Sequence, residues 1–82
     1  MPANPKAQNI VGPAVAEARR AAHITQDGLA AKCSLLGWDI GENTVTKIET
    51  GIRCVTDEEL IVLAKALRVK LRTLFPSHPE LF

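Results

Sequence analysis

Apolar residues recur along this chain at three- and four-residue intervals, separated by short stretches rich in turn-forming residues. Between Ile10 and His23, Val11, Val15, Ala18 and Ala22 fall on one helical face, while Glu17, Arg19 and Arg20 are mostly left for others. Leu29, Ala30 and Cys33 make the stripe of a second helix. Val45 and Ile48 mark a third, from Gly41 or Glu42 to Glu49, and Leu60, Leu63, Ala64 and Leu67 a fourth. A last short helix is expected over Leu71 to Phe75, before Pro76 stops it. The pattern therefore predicts an all-α fold, a compact bundle of five short helices.

The punctuation agrees with these boundaries. Pro13 is tolerable because it lies in the first turn of helix one, where its missing N–H has no partner to lose. Thr25 is a good N-cap for helix two. Gly37 can take the left-handed conformation that ends that helix, and Gly51 can do the same for helix three. Asp39 is expected to cap helix three, with Glu42 three residues later completing a capping box, and Thr56 with Glu59 forms a second such box.

Composition changes this picture little. The 82 residues are rich in Ala, Leu, Ile and Val and poor in aromatics, enough for one small core. The first nine residues carry two prolines and one charge, Lys6, and are expected to be a flexible arm. Residues 10–75 then form the folded domain, and 76–82 a C-terminal tail. No apolar run approaches a membrane span and "MPANPKAQNI" lacks the apolar core of a secretion signal, so a soluble, cytoplasmic protein is expected, with both cysteines reduced. A net charge of +1 provides little long-range attraction for phosphate, so any nucleic-acid binding must come from local placement or from subunit pairing. His23 and His78 stand far apart without acidic or nucleophilic partners, and there is no phosphate loop or metal-ligand spacing. Neither an enzyme nor a cofactor is expected, and the sequence offers no catalytic or metal-binding residue.

Three pieces, "ITQDGLAAK", "TVTKIETG" and "DEELIVLAKALRVKLRTLF", in this order and spacing resemble the lambda-repressor-like helix-turn-helix family, also called the Cro/repressor or xenobiotic-response-element type. The likeness covers roughly residues 10–75, with helices two and three as the helix-turn-helix. The chain departs from the family in the turn, which carries about five residues more than usual, concentrated in "LLGWDI". Helix two can absorb them by gaining about one turn through Ser34 to Leu36, with Trp38 folded back over the end of the core. A base-stacking Trp38 is the less favoured alternative.

The resemblance implies sequence-specific binding of double-stranded DNA, with helix three in the major groove. Its exposed side chains suit that chemistry: Asn43 can pair with adenine, Glu42 can accept from a cytosine amine, Lys47 can donate to guanine and Thr46 can meet a thymine methyl. The bland alternative is a solvated helix face, with Glu42 occupied as a capping partner. The resemblance further implies that Gln26 contacts phosphate and supports the reading helix, and that Thr25, Thr50 and Arg53 touch the DNA backbone, although Thr25 also serves as a cap. Arg19 and Glu49 match a largely buried ion pair of the family. The expected protein is thus a transcriptional regulator acting as a homodimer, with the tail, notably Leu81 and Phe82, and Ile61 and Val62 as candidate dimer contacts. The competing reading is a protein-interaction module of the same fold, such as an antitoxin or regulatory partner, with little or no DNA affinity.

Overall fold

The computed structural model describes residues 7–82, which form four α-helices: α1 (Gly12–Ala21), α2 (Gln26–Leu35), α3 (Glu42–Glu49) and α4 (Asp57–Leu67). The expected fifth helix is instead a single 3₁₀ turn over Leu71–Leu74, closed by i to i+3 bonds from Thr73 N to Lys70 O and from Phe75 N to Arg72 O. Pro76 lies too close for a further turn of helix to form. A second 3₁₀ turn, Pro79–Leu81, shapes the tail that the pattern left unassigned, and the Phe82 ring tilts against Phe75 at 5.8 Å between centroids.

Each helix end has a local cause. α1 stops at Ala21, short of the expected His23, because His23 adopts a left-handed conformation and Ile24 N bonds back to Arg19 O at 3.0 Å. The start of α1 is held by Asn9, whose carboxamide oxygen accepts from Gly12 N at 2.8 Å while its Nδ2 donates to Ile48 O and Arg53 O. The arm expected over residues 1–9 therefore divides: residues 1–6 lie outside the described residues, and Asn9 ties the entry of α1 to the exit of α3.

Thr25 caps α2, accepting from Gly28 N at 2.9 Å. That helix runs on to Leu35 as the long turn demanded, and Gly37, with φ +97°, ends it. α3 begins at Glu42, within the expected bounds, but without the expected cap. Its N-cap is Gly41, in extended conformation, and Asp39 accepts instead from the Ser34 hydroxyl at 3.3 Å. Glu42 is thus the first residue of the helix rather than its third, and the Asp39–Glu42 capping box cannot close. The box at Thr56 and Glu59 is present in full. α4 ends at Arg68, again left-handed, with Val69 N bonded to Ala64 O.

The core unites Val11 at the N-cap of α1 and Val15 within it, Leu29, Ala30 and Cys33 of α2, Val45 and Ile48 of α3, and Leu63, Ala64, Ala66 and Leu67 of α4, closed by Leu74. Burying a side chain of the Leu or Ile kind contributes about 1.5–3 kcal/mol. Ala22, expected on the inner face of helix one, is exposed beyond the helix end. Trp38 and Ile40 of the long turn pack against the core, the lid position expected for Trp38. Among the described residues no helix is long and apolar enough to cross a membrane.

Candidate nucleic-acid interface

α3 is eight residues long and divides sharply between two environments. Val45 and Ile48 are fully buried, whereas Glu42, Asn43, Thr46, Lys47 and Thr50 are exposed. Positions 43, 46, 47 and 50 share one face by the 3.6-residue repeat, so the buried pair aims the polar set outward. Among the described residues, no side-chain hydrogen bond or ion pair engages Asn43 or Lys47, which leaves amide and ammonium available to a ligand.

Behind this face a chain of polar contacts joins three helices. Arg19 of α1 meets Glu49 of α3 through Nε to Oε2 at 2.6 Å and Nη2 to Oε1 at 3.1 Å, and a third donor, Nη1, reaches Ile24 O. The ion pair is largely buried, and the hydrogen bond to Glu49 holds the guanidinium pKa above its ordinary value. Glu49 Oε1 also accepts from Gln26 Nε2 at 2.9 Å. Gln26 Oε1 in turn accepts from the Thr46 hydroxyl at 2.9 Å. Gln26, in the first turn of α2, therefore bridges to the middle and to the C-terminal end of α3. Thr50 is turned inward on its own helix, donating to Thr46 O at 2.7 Å.

Arg53, in the loop after α3, grips both carboxylate oxygens of Glu59 at 2.9 Å, donates to Cys54 O, and lies over the Trp38 ring at 5.5 Å. Both Nη1 hydrogens are thereby engaged, while Nε and one Nη2 hydrogen are not used by these bonds. The Arg53 hydrogen bonds hold the Glu59 carboxyl below its ordinary range, and the Arg53 pKa is raised in return. The same pair braces Trp38 and the start of α4 against the loop.

The structure therefore brings Gln26, Glu42, Asn43, Thr46, Lys47 and Thr50 into one region built by α2 and α3, with Thr25 at its edge as the cap of α2. Arg53 faces Trp38 and Glu59. Sequence reasoning missed the Asn9 clamp and the Gln26–Thr46 bond. An Asn just before a proline-containing helix start was the available signal for the first. Cys33 is fully buried, its thiol pushed up to about 11 by burial, and Cys54 is exposed; both are free. Among the described residues no group of three His, Cys, Asp or Glu can hold a metal. A shallow groove of about 520 Å³ between α1 and the segment after α4 contains none of the candidate residues.

Four helices around one core, with the second and third joined so that the third exposes a polar face, define a helix-turn-helix domain. The helix-turn-helix family model matches residues 15–74, and the chain belongs to that family, the lambda-repressor/Cro type, a family of DNA-binding domains. Searches among curated proteins and among solved structures find no significant match.

Proposed function

We propose that this protein is a cytoplasmic transcriptional regulator that binds double-stranded DNA sequence-specifically as a homodimer, with α3 in the major groove. The observation that carries this reading is the exposed, uncommitted pair Asn43 and Lys47 on a helix whose opposite face is locked into the core. An α-helix fits the major groove, where amide, ammonium, carboxylate and methyl groups discriminate base edges. Asn43, Lys47, Glu42 and Thr46 are assigned to that reading. Gln26, Thr25 and Thr50 are assigned to the DNA backbone, the polar and hydroxyl groups that fix register without reading sequence. Arg53 joins them through its spare donors, its charge partly offset by Glu59.

Pairing of subunits follows from the arithmetic of contacts: a single eight-residue helix on a nearly neutral domain touches too few base pairs for a tight complex, and two-fold symmetry doubles them. Ile61, Leu71, Leu81 and Phe82 are exposed apolar residues on α4 and beyond it, and they support a contact between copies at this end. A second reading, an interaction module such as an antitoxin, is favoured by the exposure of Leu35 and Leu36 in the approach to α3. Selection of bound duplexes from a random pool separates the two. The regulator enriches a near-palindromic site; an interaction module enriches nothing.

A further inference from the structure

The polar chain behind α3 has a direction. Arg19 has only donors and Glu49, as a carboxylate, only acceptors, so the Gln26 atom that meets Glu49 must be its NH2 group. The Gln26 carbonyl oxygen is then turned toward Thr46, and it can only accept. The second partner of the Thr46 hydroxyl, the carbonyl of Glu42 at 3.1 Å, can also only accept. Whichever of the two takes it, the single hydroxyl proton of Thr46 is spent inside the protein.

We infer that Thr46 is thereby set as an obligate hydrogen-bond acceptor toward the groove, and that it recognises the amine edge of an adenine or a cytosine rather than the acceptor edge of a guanine or a thymine. Glu49, one hydrogen bond behind, orients the Gln26 amide so that its oxygen is the atom that faces Thr46. The inference rests on the DNA-reading assignment of α3 and specifies what one of its side chains reads. The exocyclic group that each base presents in the major groove is either an amine, in adenine and cytosine, or a carbonyl oxygen, in guanine and thymine, so a donor-or-acceptor restriction on one hydroxyl facing that group is a restriction on sequence. Donation to a base acceptor would leave both internal oxygens, of Gln26 and of the Glu42 carbonyl, without the Thr46 proton, so the wrong edge loses a hydrogen bond.

The test uses the full chain and the duplex enriched from the random pool. At each adenine and cytosine of that site the amine is removed in turn, by purine in place of adenine or 2-pyrimidinone in place of cytosine. At one position the unaltered protein should lose roughly tenfold in affinity, the worth of one hydrogen bond. Thr46→Val should be insensitive to the same deletion, losing less than about twofold. Gln26→Leu, which leaves the Glu42 carbonyl to take the Thr46 proton, should keep the sensitivity of the unaltered protein on a lower overall affinity. Equal losses for the unaltered protein and Thr46→Val at every amine overturn the inference while leaving the DNA reading intact. Failure to enrich any duplex overturns that reading, and the inference with it.

Discussion

Arg19 and Glu49 meet through two hydrogen bonds, 2.6 and 3.1 Å long, across the interface between the first and third helices, with 11% and 6% of their side chains exposed. A buried pair of this kind adds little net stability over an apolar replacement, but removing one partner leaves the other charged and dry, at about 3–5 kcal/mol. Arg19→Met should therefore lower the melting temperature by at least about 10 °C. Arg20→Met, on an exposed side chain, should stay within about 0.5 kcal/mol of the unaltered protein. Equal shifts in the two thermal melts would contradict a buried pair between Arg19 and Glu49.

Gly12 is required by a close approach rather than by its dihedral angles. A Cβ there would run into the carbonyl oxygen of Ile48 and stand 2.8 Å from that of Glu49, both backbone atoms at the end of α3. In an open helix Gly to Ala gains about 0.5–1 kcal/mol, but Gly12→Ala should instead destabilise by about 1–3 kcal/mol, as overpacking does. A rise in the urea midpoint would contradict the packing of α1 on α3.

Glu59 gives the fold an acid sensitivity whose sign follows from its pairing. Its folded-state pKa lies below the ordinary value of 4.5, chiefly through the Arg53 hydrogen bonds. The stabilisation is present above that ordinary value and lost as pH falls through the folded one. Glu59→Gln should be less stable near neutrality and lose less stability between about pH 5 and pH 3. Parallel denaturation curves for both proteins across that range would place the acid sensitivity elsewhere.

The C-terminal tail provides a separate test of subunit pairing. Deleting residues 77–82 removes the exposed Leu81 and Phe82 but none of the buried core. Self-association and affinity for the enriched duplex should both weaken, with helical content by circular dichroism nearly unchanged. Sedimentation that shows the same dimer for the truncated protein would locate the contact elsewhere.

What the sequence revealed and what it hid divide along sequence distance. α4 was legible because its signal is local, with Thr56 and Glu59 three residues apart and an apolar stripe behind them. The cap at Thr25 and the left-handed Gly37 and Gly51 were legible for the same reason, whereas the longer α2 came from comparing the turn with the family's spacing. Asp39 misled because a competing local partner, Ser34, takes its carboxylate while Gly41 starts the helix without a side chain. Asn9 looked like part of a loose arm because its anchors lie 39 and 44 residues further on, beyond any local pattern. At the candidate interface, the exposed face of α3 was readable from helical spacing. The Arg19–Glu49 contact came from family likeness, and the Gln26–Thr46 bond became visible only when α2 and α3 were placed in space.

The central claim, that α3 reads base sequence, is tested most directly by measuring Asn43→Ala and Lys47→Ala against both the enriched duplex and a scrambled duplex at one salt concentration. A side chain that makes a good base contact should cost about 1–3 kcal/mol on the enriched duplex when truncated and much less on the scrambled one. Equal losses on both duplexes would show that the two residues touch only phosphate, and would contradict the account.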